Sequence, residues 1–306
     1  MPKFGWGREN FLIAALLLLG APALAHGGHD EDKLPGADQQ QVWWLDLVPR
    51  AAAAETIEID EKLGFRYIRA DGLPNHATGQ FPNRDNPNRI SAQSYSFQVA
   101  LHPLKAGQAY YYPPNTLFGV AVNGVVFDPQ TAEFWHNDRR WMIEALSGAR
   151  PLGIDQNNAH VQPGGAYHYH GVPTGLVATL GSARPALVGW AADGFPIYVD
   201  EKARPGWHLK KARDAGGPGG APDGTFARDF QYVPGTGDLD ECNGRDGKTA
   251  EFPQGTYYYV ITAQFPYVPR CFVGTISRTF VKQGPPPGMG PPGGRPPPPG
   301  MGPPPR

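Results

Sequence analysis

Two cysteines, four methionines and a charged fraction of 18% are all that this 306-residue chain carries of those residue types, and each scarcity excludes something. A net charge of -1 with no basic stripe excludes electrostatic capture of nucleic acid. The longest apolar run, residues 11–19, is about half the ~20 residues that cross a bilayer, which excludes a classical spanning helix. No phosphate-cradling glycine loop and no Ser-His-Asp arrangement is present.

The ends of the chain are distinctive. Lys3 and Arg8 precede the apolar run and Ala23-Leu24-Ala25 follows it, which is the small-x-small pattern of signal peptidase cleavage. Residues 1–25 therefore read as a signal peptide, the mature chain begins at His26, and the protein is exported to the periplasm or beyond. An uncleaved N-terminal anchor is the alternative. Residues 26–50 read as a linker. Its start, His26-Gly27-Gly28-His29, offers an amine and imidazoles to copper, or is a solvated tail ahead of Asp30-Glu31-Asp32-Lys33. Residues 283–306 are almost wholly Pro and Gly, with nothing to bury, and are expected to form a disordered, polyproline-like tail. Between these ends, residues 51–282 form one β domain.

In a chain routed to an oxidising compartment, Cys242 and Cys271 are expected to be bonded to each other, thiolate ligation of a metal being the alternative. Closing such a loop contributes about 3 to 4 kcal/mol in the chain-entropy account.

Stretches rich in β-branched and aromatic residues predict strands at 56–59, 95–101, 117–122, 186–191, 257–262 and 272–276. Asn123-Gly124, between Val120-Ala121-Val122 and Val125-Val126-Phe127, predicts a hairpin with a two-residue turn at positive φ. One helix is predicted over 131–146, where Trp135, Met142 and Leu146 share a face after Asp128-Pro129. Residues 75–89 and 213–223 are expected to be irregular, the second a flexible surface insertion. The expected fold is mainly β, a β-sandwich or open barrel with long loops and one short helix.

His168 and His170 alternate along Tyr167-His168-Tyr169-His170, so in an extended segment their imidazoles share a face. His160 lies eight residues upstream, and Gln162-Pro163-Gly164-Gly165 supplies the turn that folds it back. Three imidazoles with an open position suit zinc or copper. Tyr167 and Tyr169 point the other way, where core packing is expected. His76 is a further candidate ligand, or a loop histidine bonded to backbone.

The stretch Asn158-Ala159-His160-Val161-Gln162-Pro163-Gly164-Gly165-Ala166-Tyr167-His168-Tyr169-His170-Gly171 resembles the defining motif of the YHYH domain family. The likeness extends over residues 64–276. Gly72-Leu73-Pro74-Asn75-His76, Asn86-Pro87-Asn88 and Val122-Asn123-Gly124-Val125 are similar to its earlier motifs. Gly189-Trp190-Ala191-Ala192-Asp193-Gly194-Phe195-Pro196-Ile197-Tyr198 and Leu239-Asp240-Glu241-Cys242-Asn243-Gly244 are similar to its later ones. Where the family repeats a YHYH-like segment, this chain reads Tyr257-Tyr258-Tyr259-Val260-Ile261-Thr262, which puts any ligand role there in doubt. The resemblance implies no activity.

Function therefore rests on the histidines, and an exported metal-binding domain is the expectation. A metal-dependent hydrolase needs a base or an orienting carboxylate as well, for which Asp193 and Asp240 are the candidates, although both also fit ordinary turns. The rival is a binding or surface-structure module without metal, its small-molecule or glycan groove lined by tyrosine, histidine and tryptophan, with Trp135, Trp141, Trp190 and Trp207 available.

Overall fold

The period-two pattern of residues 94–100 is realised as a strand in which Phe97 and Val99 are buried and Ser96 is exposed. The computed structural model describes residues 57–181 and 185–282. Thr56, the expected signal peptide (1–25), the linker (26–50) with His26 and His29, and the expected Pro/Gly tail (283–306) lie outside the described residues.

Among the described residues seventeen strands follow one another: β1 (Ile57–Lys62), β2 (Phe65–Ala70), β3 (Tyr95–Ala100), β4 (Lys105–Tyr111), β5 (Gly119–Ala121), β6 (Val126–Phe127), β7 (Phe134–Trp135), β8 (Asp138–Met142), β9 (Ala159–Val161), β10 (Tyr167–Tyr169), β11 (Ala186–Ala191), β12 (Pro196–Val199), β13 (Trp207–Leu209), β14 (Phe230–Tyr232), β15 (Gly244–Gly247), β16 (Thr256–Ile261) and β17 (Cys271–Gly274). The α-helix, α1, covers Thr174–Thr179. An open eight-stranded sheet runs β15-β16-β12-β11-β5-β6-β10-β9, beside a three-stranded sheet β1-β2-β3 and three two-stranded pairs. One apolar cluster joins Ile68 and Phe97 of the small sheet to Val120, Tyr169, Ile197 and Tyr259 of the large one, and to Phe272 and Phe280. The mainly β, sandwich-like architecture expected from the sequence is thus present, without a closed barrel among the described residues.

The large sheet is built twice over from one plan. At its centre β5 pairs antiparallel with β11, and each begins a hairpin, β5–β6 and β11–β12. β10 then adds parallel to β6, as β16 adds parallel to β12, and each brings an antiparallel outer partner, β9 and β15. The hydrogen bonds repeat with the strands. Gly124 donates to the carbonyl of Ala121 at 2.9 Å, and Gly194 to that of Ala191 at 2.9 Å. Asp155 accepts from the backbone of Asn157 and Ala159 and from the Tyr167 hydroxyl. Asp240 likewise accepts from the backbone of Cys242 and Gly244 and from the Tyr257 hydroxyl. Asn158 and Asn243 both sit at φ 53°, the left-handed conformation that asparagine tolerates.

The six predicted strand segments each contain a strand, and Cys242 is bonded to Cys271 across a Cα–Cα distance of 4.9 Å. Three local expectations need correction. The predicted helix over 131–146 is instead the hairpin β7–β8, followed by a 3-10 turn at Ala145–Ser147. His136 and Asn137 take φ values of 45° and 60° at its turn, and Asp138 bonds Arg140 two residues on, a pair that cannot meet on a helix face. Trp141, between exposed Arg140 and half-buried Met142, is the residue that β8 buries.

The Asn123-Gly124 hairpin exists, but only Gly124 has positive φ (84°); the turn spans residues 121–124 and the asparagine amide is used elsewhere. The insertion at 213–223 is irregular yet tied down. Arg213 bonds Asp223, Asp229 and the carbonyl of Gly219, and a Cβ on Gly217 would lie 1.9 Å from the Trp141 ring.

Candidate metal centre

β9 and β10 are joined by a turn with Gly165 at φ 82°, and their register sets His160 directly opposite His168. His170 follows β10, its backbone N–H donating to the carbonyl of Asn158 at 2.7 Å, so its ring falls on the His168 side. The three side chains meet. His170 Nε2 lies 2.9 Å from His168 Nε2 and 3.1 Å from His160 Nε2, and all three ligand atoms fall within 4.8 Å of one another. His168 and His170 are 1% exposed, and His160 is half-buried.

Two tautomers follow from the neighbours. His160 Nδ1 sits 2.9 Å from the Leu152 carbonyl, and His168 Nδ1 sits 3.2 Å from the Ala166 carbonyl. A carbonyl only accepts, so each Nδ1 carries its ring's hydrogen and each Nε2 keeps a lone pair. Burial holds all three imidazoles below the usual histidine range, those of His168 and His170 far below it, so the rings are neutral. His170 Nε2 has at most one hydrogen to offer two lone pairs. If it gives that hydrogen, its Nδ1 is left a bare buried acceptor with no partner in the protein; if not, three lone pairs converge. Either way at least one buried nitrogen lone pair is left without a hydrogen. Nitrogens bound to zinc at about 2.0–2.1 Å in tetrahedral geometry stand roughly 3.3 Å apart, close to the two separations from His170.

The orienting partners are backbone carbonyls, where the sequence reading looked for a carboxylate. A cavity of about 870 Å³ opens beside the rings, with His160 and His168 on its wall.

On the opposite face of β10 the tyrosines are fully buried. Tyr167 donates to Asp155 at 2.7 Å, and Tyr169 OH lies 2.6 Å from His76 Nε2 and accepts from Asn123 Nδ2 at 3.0 Å. His76 therefore belongs with the tyrosines, and the structure does not bring it to the three histidines.

Asp193 and Asp240 do not reach the cavity wall either. The internal repeat explains both. Asp240 stands where Asp155 stands, beneath the first tyrosine of its strand. Asp193 stands where Asn123 does, accepting from Tyr259 OH at 2.6 Å and Gly274 N–H at 2.9 Å. Burial pushes the Asp193 carboxyl up to about 6 and raises that of Asp240, while their hydrogen bonds oppose the shift. Their visible task is anchoring tyrosines. The tryptophans are likewise elsewhere: Trp141 and Trp190 are buried, Trp207 donates to the Glu241 carbonyl, Trp135 stacks on His136, and none is on the cavity wall.

Sequence reading missed the groups that surround the cavity. Lys282 is ion-paired with buried Asp128, which also accepts from Gln162 at 3.3 Å, while Arg270 is ion-paired with buried Glu144. Tyr112, Gln162, Arg270 and Lys282 all line the wall. Their positions in the chain gave no sign, because they come from distant segments, Tyr112 and Arg270 being joined by the pairing of β4 with β17.

In the other half-sheet the ring positions are changed. Arg245 stands opposite Tyr258 as His160 stands opposite His168, and Val260 donates its N–H to Asn243 as His170 does to Asn158. Arg245 bonds Tyr258 OH at 2.7 Å and Asp200 at 2.8 Å, so a guanidinium fills the place of an imidazole.

No helix among the described residues is long and apolar enough to cross a membrane. No curated protein and no solved structure matches the chain significantly. A family model described as YHYH protein does match, over residues 96–274, a span that holds the whole large sheet, the three histidines and both cysteines. By that match, which covers more than half of its length, the chain belongs to the YHYH protein family.

Proposed function

We propose that this is an exported metal-binding protein whose centre is His160, His168 and His170, with zinc or copper as the metal. One observation carries the reading: three neutral imidazoles aim their Nε2 atoms at one point, with two of the lone pairs fixed by carbonyls behind the rings. A hydrogen-bonded core cluster would pair donors with acceptors, and these rings cannot all be paired. Soft Cu(I) and borderline Zn(II) both accept three-imidazole sites, and elemental analysis separates them. The test is the metal content of full-length protein purified without a polyhistidine tag, set against His168→Ala/His170→Ala, with circular dichroism showing that both fold. About one metal per chain in the parent and none in the variant is expected. Equal content in the two removes the reading.

Export is supported by the leader-like residues 1–25 and by the Cys242–Cys271 bond. Mass spectrometry of the protein from the extracytoplasmic fraction is expected to find His26 at the N-terminus.

The cavity beside the rings favours a second reading, metal-dependent hydrolysis of a small substrate. With Asp193 and Asp240 away from the wall, Glu133 is the lining carboxylate whose charge acts on His160 and is the group to replace in activity screens.

A further inference from the structure

We infer that the cavity beside the three histidines seats a small oxyanion, held by the hydroxyl of Tyr112 and the Nε–H of Arg270. This deepens the metal reading above and rests on it. Both atoms are buried and have no partner in the protein. Both residues line the wall that His160 and His168 also line, and the pairing of β4 with β17 continues just beyond their ends, where Tyr112 N–H donates to the Arg270 carbonyl at 3.2 Å.

The other two guanidinium nitrogens of Arg270 are each engaged. Its Nη1 donates to the Pro129 carbonyl at 2.7 Å, and its Nη2 is engaged by Glu144 and by the Pro266 carbonyl. Of the three nitrogens Nε is the one with no acceptor, and it can only donate. A buried donor without an acceptor is destabilising, and two of them on residues of one wall call for an acceptor there.

Charge selects an anion over a neutral acceptor. Three neutral imidazoles leave the charge of a bound metal ion uncancelled. The wall carries Arg139, Arg140, Arg270 and Lys282 against Asp85 and Glu133. Off the wall, buried Asp128 and Glu144 answer Lys282 and Arg270, and Asp138 answers Arg140, so the side chains leave no surplus positive charge and the metal's charge is what remains to be met. Carboxylates and tetrahedral oxyanions share the chemistry these two donors recognise.

Calorimetric titration of the full-length protein with acetate, sulfate and the neutral acetamide tests this. The titrations use metal-loaded and metal-stripped forms of the parent and of Tyr112→Phe, with metal content measured on every sample. In the loaded parent, one acetate or sulfate per chain is expected and acetamide is not taken up. Tyr112→Phe is expected to keep its metal and bind the anion about tenfold more weakly. Acetate preference marks a carboxylate ligand and sulfate preference a tetrahedral one. No saturable binding to fully metallated parent, or equal affinity in Tyr112→Phe, overturns the inference. Loss of the metal reading shows separately, as absence of metal; in that event, anion binding by the stripped parent that Tyr112→Phe weakens upholds the subsite, and its absence removes it.

Discussion

His160 and Arg245 hold equivalent places in the two halves of one sheet: each stands on an edge strand directly across from the middle residue of a tyrosine-flanked strand, His168 for one and Tyr258 for the other. Around them the anchoring groups are kept, Asp155 with Tyr167 and Asp240 with Tyr257. What differs is the face turned away from the tyrosines, with imidazoles on one side and a guanidinium paired to Asp200 on the other.

From that equivalence, the chain is expected to bind one metal ion, not two. Arg245→His/Tyr258→His/Val260→His is expected to raise the zinc content toward two per chain, since the backbone positions already match. An unchanged stoichiometry in a folded triple variant would show that the second half-sheet does not place rings as the first does.

The metal-stripped protein is expected to lose stability as pH falls below about 6.5, the ordinary histidine value. The sign follows from burial: the folded rings resist protonation while the unfolded chain takes up protons below that pH, so the unfolded state binds more. Each such ring contributes a slope of up to about 1.4 kcal/mol per pH unit. Urea unfolding at a series of pH values measures it, and a slope unchanged in His168→Gln/His170→Gln would contradict the assignment.

Asp193 carries the opposite sign. Its folded carboxyl titrates near 6, above the ordinary value of 3.8, so the folded state holds the extra proton and the parent loses stability as pH rises from about 4 to 6. Asp193→Asn keeps an oxygen for Tyr259 and Gly274 and removes the buried charge. It is expected to be at least as stable as the parent at pH 7, with the advantage shrinking toward pH 4 in thermal unfolding.

Much of the site was legible before any coordinates, for definite reasons. Alternation along an extended segment puts His168 and His170 on one face whatever the tertiary fold, and Gly164-Gly165 can only turn the chain. The hairpin β7–β8 was not legible because Trp135, Met142 and Leu146 also satisfy a helical period, and the choice was made by the burial of Trp141. The internal repeat was hidden by unequal loops: 12 residues separate Asp155 from Tyr167, but 17 separate Asp240 from Tyr257. Asp193 and Asp240 therefore looked like catalytic candidates when their counterparts, Asn123 and Asp155, serve the tyrosines.

Gly217→Ala is expected to destabilise the protein by about 1–3 kcal/mol, because its Cβ would overlap the indole of buried Trp141. Intrinsic tryptophan fluorescence during chemical unfolding measures it. A neutral effect would mean that the glycine-rich loop floats free.

Replacing Cys242 and Cys271 together by serine is expected to cost about 3 to 4 kcal/mol through the freed loop, with metal content unchanged, since neither cysteine adjoins the rings. Loss of metal in a folded double variant would point to coupling between the bond and the centre.

The three imidazoles and the two carbonyls that orient them all come from the stretch between Leu152 and His170, whereas Tyr112 and Arg270 meet only when β17 closes on β4. Contacts near in sequence form fast, and distant ones wait. The ring cluster thus draws on no residue beyond His170 for its own contacts. The chamber that screens other molecules is finished last.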